Sequence, residues 1–262
     1  MAEPVTLHDA LLGWYRAAHR DLPWRRTTDP YAILVSEVML QQTQVSRVLT
    51  RYDAWLERWP GEAELAVARR SDVLAAWVGL GYNSRALRLQ QACKIIARDG
   101  WPPDAAGLQR LPGIGPYTAA AVASFAFGQQ IAAVDTNVRR VAERLGRGVP
   151  HELCPEGRAA DWNQAMMELG ATVCRAREAR CGACPVASLC ASRGRVALSP
   201  RAPAGTRERF EDSNRWVRGR VIAALSAGEG LPQVAPERLE PALAGLARDG
   251  LIVRDTAGAR LA

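Results

Sequence analysis

Leu111-Pro112-Gly113-Ile114-Gly115-Pro116-Tyr117-Thr118 is the stretch from which the fold can be read. A short helix ends at Leu111, Gly113 and Gly115 permit a tight turn with exposed backbone N–H groups, and a second helix opens at once with Ala119-Ala120-Ala121-Val122. Such a helix–hairpin–helix offers amides and the positive end of a helix dipole to one DNA phosphate without reading its base. A Gly-x-Gly turn between helices is commonplace by itself. It gains specificity because Val134-Asp135-Thr136-Asn137-Val138 follows twenty residues on.

Outward from that turn the pattern is helix after helix. Asp29 and Pro30 make a helix start, the Asp as N-cap and the Pro at the first helical position, where its missing N–H costs nothing. Their helix runs through Ile33-Leu34-Val35-Ser36-Glu37-Val38-Met39-Leu40. Periodicity predicts further helices at about 7–19, 44–58, 63–69, 72–79, 84–98, 104–110, 116–127, 136–145 and 158–174, with Gly and Pro breaks between them. No convincing alternating strand precedes residue 250, and there is neither an internal repeat nor a low-complexity tract.

Four cysteines, Cys174, Cys181, Cys184 and Cys190, are spaced C-x6-C-x2-C-x5-C, with Pro185 after the third. A structural zinc site usually draws thiolates from two knuckles separated by a longer stretch, whereas this run winds once around a single point. A 4Fe–4S cluster is therefore expected ahead of zinc, with disulfides last. Residues 1–22 hold no apolar run or signal-peptide pattern, so a reducing cytosol is the expected compartment. Cys93 and Cys154 read as ordinary buried or loop cysteines.

The 262 residues suit one large helical domain plus something small, and no apolar stretch approaches a membrane span. A net charge of +7 suggests a polyanionic partner. Most of the excess falls between Cys174 and Arg209, where eight arginines face only Glu178 and Glu208. That loop reads as a phosphate-facing surface, the alternative being a solvated basic loop. Residues 199–206, with two prolines and a glycine, read as a linker. Beyond it, 212–227 and 236–249 fit amphipathic helices, and 251–253 can pair with 259–261 as a hairpin. Helix, helix, hairpin resembles the back half of a winged-helix domain, and its small size favours docking on the main body.

Helix–hairpin–helix, downstream aspartate and cysteine loop together resemble the endonuclease III superfamily of base-excision DNA glycosylases. Within it, Ser36-Glu37-Val38-Met39-Leu40-Gln41-Gln42-Thr43-Gln44-Val45 resembles the signature of the adenine glycosylase family, the MutY type. Leu22-Pro23-Trp24-Arg25, Gly79-Leu80-Gly81-Tyr82 and Asn163-Gln164-Ala165-Met166-Met167 match the same family, and the resemblance covers roughly residues 7–192. It implies a mainly α, two-lobed glycosylase fold with a 4Fe–4S loop and, here, a small winged-helix-like C-terminal unit. The catalytic region is expected at 1–200, with a helical lobe at about 22–132 and a cluster lobe from about 1–21 plus 133–200; 201–262 is linker and accessory unit. The implied partner is double-stranded DNA carrying a mismatch or oxidised base, met by a monomer in the cytoplasm at the nucleoid, with no membrane involved.

The residue chemistry fits that reading. Cleaving a purine nucleoside puts positive charge on the sugar and negative charge on the departing base, so two carboxyl groups in different protonation states help both ends. Glu37 lies in a helix apolar on nearly every side, where desolvation favours a proton donor. The family's mechanism has it protonate adenine N7. Asp135 is expected to stay ionised and face C1′, stabilising the oxocarbenium-like state or capturing it covalently, with Asn137 assisting, although a plain N-cap role would also suit it. Bifunctional members of the superfamily place a lysine where this chain has Tyr117, and the single lysine, Lys94, sits in a predicted helix. Base removal without lyase activity is the expectation. The resemblance further implies that Gln42 and Tyr82 enter the base stack, and that Trp24, Arg25 and Gln164 line the adenine pocket, with core filling and a salt bridge as duller roles for Trp24 and Arg25. It also leaves Gly113 and Gly115 on a phosphate.

Two features depart from the family. Asp-Thr-Asn stands where Asp-Gly-Asn is usual, and the tail from 201 to 262 is too short for the usual domain that senses 8-oxoguanine. Preference for 8-oxoguanine over guanine opposite adenine is thereby left open. A thymine or uracil mismatch glycosylase of the same fold is the nearest alternative, and a non-enzymatic iron–sulfur DNA-binding regulator the more distant one.

Overall fold

A computed structural model describes residues 6–196, 198, 208–256 and 258–262. The linker expected at 199–206 lies outside the described residues. Among those described the chain forms twelve α-helices and one two-stranded hairpin, and no helix is long and apolar enough to cross a membrane. Contacts divide it into two units, one of Met1–Leu34, Pro103–Gln109 and Ile114–Ala202, the other of Val35–Pro102, Arg110–Gly113 and Pro203–Ala262.

The first unit holds α1 (Leu7–Ala18), α7 (Ala105–Gln109), α8 (Pro116–Phe127), α9 (Thr136–Leu145) and α10 (Ala159–Thr172). Its core comes from one stripe of each long helix: Leu11 and Leu12 of α1, Val138 and Val141 of α9, Trp162, Met166 and Leu169 of α10. The helix ends are where the side chains require them. Pro116 opens α8, Asp135 caps α9, and Gly128 and Gly146 close those two helices in the left-handed conformation. Asn163 of α10 is fully buried and fastens the segment before Asp135. Its Oδ1 accepts from the Ala133 N–H at 2.8 Å, and its Nδ2 donates to the Ile131 carbonyl and to Ser124 Oγ, both at 2.9 Å.

α2 (Pro30–Leu40) begins as expected, with the Asp29 carboxylate accepting from the Tyr31 and Ala32 N–H groups. The second unit continues with α3 (Val45–Arg58), α4 (Glu62–Val67), α5 (Arg70–Trp77) and α6 (Ser84–Asp99). Trp55 is central to its core, edge-on to Trp59 at 4.7 Å and to Trp77 at 5.3 Å. The same unit contains α11 (Asn214–Ala227), α12 (Pro236–Arg248) and the strands β1 (Ile252–Asp255) and β2 (Gly258–Leu261), paired antiparallel with Ile252 opposite Leu261. The predicted order of helix, helix and hairpin is present. α11 packs on α5, and Arg70 donates to the Gly250 carbonyl at 2.7 Å, so this C-terminal segment is docked rather than free.

Candidate active site

Asp135 is the N-cap of α9, so its backbone is extended while its side chain turns back over the helix start. Oδ1 accepts from the Val138 N–H at 2.7 Å, and Oδ2 accepts from Asn137 Nδ2 at 2.7 Å. The capping role is therefore real, and it leaves the carboxylate fixed rather than idle. Asn137 in turn accepts from Arg140 Nη2 at 2.8 Å, and Arg140 also donates to the Gly170 carbonyl at 2.8 Å and the Cys174 carbonyl at 3.1 Å. Gly170 is needed here, because a Cβ would stand 2.7 Å from Asn137 Cβ. Tyr117, in the first turn of α8, lines the same open cleft as Asp135, and its hydroxyl donates to Met167 Sδ at 3.5 Å. Glu37 lies on α2 in the second unit and is 6 % exposed, on a helix in which Val35, Val38 and Met39 are buried as well.

A second cluster in the first unit gathers the residues expected around a flipped base. Trp24 is buried in a 3-10 turn, Pro23–Arg25, and so fills core as well. Arg25 Nη2 donates to Glu168 Oε2 at 2.7 Å, and its guanidinium stands 5.6 Å from the Tyr15 ring centre. Arg20 grips the other side of Glu168 with Nε and Nη2, each at 2.8 Å. Burial pushes the Glu168 carboxyl up, but the hydrogen bonds and charges of Arg20 and Arg25 outweigh it and hold the group at about 2. Gln164, one turn earlier on α10, accepts from the Tyr15 hydroxyl at 3.1 Å. Sequence reasoning missed Arg20 and Glu168. Its available signal was Glu168 itself, a charge one turn from Gln164 between Met167 and Leu169.

The residues expected to enter the base stack form a third cluster, in the second unit. Among the described residues Gln42 (φ 55°) and Tyr82 (φ 47°) are the two non-glycine residues with left-handed backbone. Both are exposed, Tyr82 by 41 %. Such backbone costs a non-glycine residue about 1–2 kcal/mol. What holds them is Arg85, again missed from sequence. Its buried guanidinium donates to the carbonyls of Val38 at 2.6 Å, Met39 at 3.1 Å, Leu80 at 3.0 Å and Gly81 at 2.9 Å, and to Thr43 Oγ1 at 3.0 Å. One side chain thus clamps the turns on which Gln42 and Tyr82 stand. Desolvation lowers its pKa to about 10. Gly113, at φ 79°, would place a Cβ 2.9 Å from Arg88 Cβ, so the hairpin turn admits glycine there. Gly115 is the N-cap of α8, with Pro116 at its first position.

Cys174, Cys181, Cys184 and Cys190 line one hollow in the first unit, together with Arg144, Arg180 and Arg193. Arg144 Nη1 lies 3.4 Å from Cys174 Sγ and donates to the Arg175 carbonyl at 2.8 Å. Burial first, then the charges of the other three cysteines, push the Cys184 thiol up, while a Val186 backbone hydrogen bond opposes them. Among the described residues no three His, Cys, Asp or Glu side chains gather closely enough for a single metal ion; the four thiols ring a space instead. Two of the loop arginines, Arg175 and Arg180, pair with Glu178 at 3.0 and 2.8 Å. Cys93 is inert by comparison, pushed to about 12 by burial, and Lys94 lies exposed on α6.

Residues 35–152 match the HhH-GPD superfamily of base excision DNA repair proteins. The chain is 46 % identical over 233 residues to the adenine DNA glycosylase of Mycolicibacterium smegmatis, covering 82 % of this chain and 78 % of that protein. To the adenine DNA glycosylase of Mycobacterium tuberculosis it is 44 % identical over 238 residues, covering 84 % and 78 %. Among solved structures it resembles a thermostable thymine-DNA glycosylase, with a TM-score of 0.67 and 29 % identity over 71 % of this chain and 94 % of that one.

Proposed function

The chain belongs to the adenine DNA glycosylases, and from that premise we propose how its own residues divide the work. It is a base excision repair enzyme that hydrolyses the N-glycosidic bond of adenine in DNA. Its substrate is adenine opposite 8-oxoguanine or guanine in duplex DNA, which it meets as a monomer. A paired adenine is unreachable inside the helix, so the base is flipped out and the gap filled. Gln42 and Tyr82 do the filling, Trp24, Arg25 and Gln164 line the adenine pocket, and Gly113 and Gly115 hold a phosphate. Residues 1–200 carry this work, with 201–262 as linker and accessory unit.

Glu37 gives a proton to adenine N7, the C1′–N9 bond breaks, and its electron pair leaves with the base. Asp135 faces the positive charge that develops at C1′, and Asn137 keeps the carboxylate turned toward it. Water then adds its oxygen to C1′ and returns a proton to Glu37, as the acid does in retaining sugar hydrolases. Tyr117 stands where a Schiff-base lysine would be needed, so an abasic site is the product and no strong lyase activity follows. The observation that carries this reading is the Asp135 carboxylate, held by Val138 and Asn137 on the wall of an open cleft beside Tyr117.

Cys174, Cys181, Cys184 and Cys190 hold a 4Fe–4S cluster in the same reading. Four thiolates around one hollow repel each other, and a cationic centre would relieve that repulsion. A cluster held by these four cysteines would fix the course of the loop that carries Arg175, Arg177 and Arg180. Cys184→Ser should lose the visible absorption of the cluster together with folding yield and DNA affinity.

Single-turnover assays on duplexes carrying A opposite 8-oxoguanine, A opposite G, T opposite G and U opposite G test the function. Loss of adenine from the first two is the expected result. Excision of thymine or uracil in its place would transfer the chain to the mismatch thymine glycosylases, and no excision from any duplex would leave only a DNA-binding role.

A further inference from the structure

Tyr82 is held from two directions. The buried Arg85 guanidinium stands 5.7 Å from the ring centre, and the exposed Arg215 guanidinium, from the first turn of α11, stands 5.4 Å from it. Arg215 Nη1 also donates to the Tyr82 hydroxyl at 2.7 Å. The same guanidinium lies 5.0 Å from the ring centre of Phe210, itself 49 % exposed. Two aromatic rings and an arginine therefore form an exposed stack, one ring from the turn before α6 and the rest from the C-terminal segment. Nothing in the core requires it. That segment is docked elsewhere, by α11 on α5 and by the bond from Arg70 to Gly250.

We infer that Arg215 is a positioning residue for Tyr82, through which the C-terminal segment takes part in engaging mismatched DNA. The inference rests on the reading of Tyr82 as a base-stack wedge. A tyrosine on a left-handed backbone, free to turn about two side-chain torsions, loses freedom when it enters DNA. A guanidinium stacked on its face and bonded to its hydroxyl removes much of that freedom in advance, and preorganisation of this kind is recovered as affinity. The hydroxyl bond fixes the ring by its far end, while 41 % of the residue stays open to a partner. Arginine suits the task because its planar fork stacks and donates together, which a lysine cannot reproduce.

The test uses the full chain and a duplex carrying A opposite 8-oxoguanine, with 2-aminopurine beside the mismatch to report insertion. Arg215→Ala should weaken binding about 5- to 10-fold and reduce the 2-aminopurine signal, with a smaller change in the single-turnover rate at saturating enzyme. Arg215→Lys should recover only part of the loss. In a Tyr82→Ala background, Arg215→Ala should cost less than about 2-fold more, because its effect passes through the ring. Unchanged or tighter binding by Arg215→Ala overturns the inference, the latter by making the contact a cap that DNA must displace. An undiminished penalty in the Tyr82→Ala background also overturns it, by placing Arg215 on DNA directly. If Tyr82→Ala alone leaves affinity and the 2-aminopurine signal intact, the wedge reading fails and the inference with it. Adenine excision in the same samples shows separately whether the enzymatic reading stands.

Discussion

In the first unit the groups proposed for chemistry are already satisfied, whereas in the second the groups proposed to enter DNA are held open. Asp135 uses both carboxylate oxygens, Arg25 and Arg20 close on Glu168, and Asn137 is fixed on both sides. Gln42 and Tyr82 instead stand exposed on left-handed backbone, supported from below by Arg85. The difference follows from what each set must do. A carboxylate facing a developing cation gains from being fixed before the reaction, since no reorganisation then opposes the barrier. A wedge gains from projecting, because the contacts that offset its strain are those DNA supplies.

The largest effects test the chemistry. Asp135→Asn in the first and Glu37→Gln in the second should each lower the single-turnover rate about 10²- to 10⁴-fold with little change in DNA affinity. If both groups act in one transition state, the double variant should lose much less than the product of the two losses. A fully multiplicative loss would separate them. Next in size is an acid-range effect confined to the first unit. The folded pKa of Glu168 is depressed from 4.5 to about 2. The stability it contributes is therefore present above about pH 4.5 and is lost as the pH falls toward about 2. Glu168→Gln should flatten the acid limb of a denaturation profile. A limb that stays as steep would show that other carboxylates govern it.

Much of this was legible because caps and periodicity are local. α8 and α9 begin and end where Pro116, Asp135 and the closing glycines put them, and the hairpin at 252–261 follows the predicted order. The site residues on α9 and in the cysteine loop were legible as motifs. Arg85 and Glu168 were not, since Val38 lies 47 residues from the one and Arg25 143 residues from the other, and only packing brings them together. The left-handed backbone at Gln42 and Tyr82 was also hidden, because glycine advertises that conformation and glutamine and tyrosine do not. The contact between Tyr82 and Arg215 spans 133 residues and had no local signal at all.

The second unit offers the finer tests. Arg85→Lys keeps a charge but loses the fork that serves five acceptors, leaving buried carbonyls of the 38–39 and 80–81 segments short of donors. It should cost about 2 kcal/mol in denaturant unfolding and weaken mismatch binding more than it slows the chemical step. Unaltered binding in a destabilised but folded variant would mean that the two turns keep their shape without the clamp. The smallest effect is the sharpest test of the contrast. Gln42→Gly relieves the left-handed strain, so it should raise stability by up to about 1 kcal/mol, less whatever entropy glycine adds to the unfolded chain. The same change removes the side chain proposed to enter the stack, so discrimination between matched and mismatched duplex should fall. Stability and discrimination moving in opposite directions is what a strained, DNA-directed residue requires. If they fall together, Gln42 is an ordinary surface residue whose backbone the fold tolerates for other reasons.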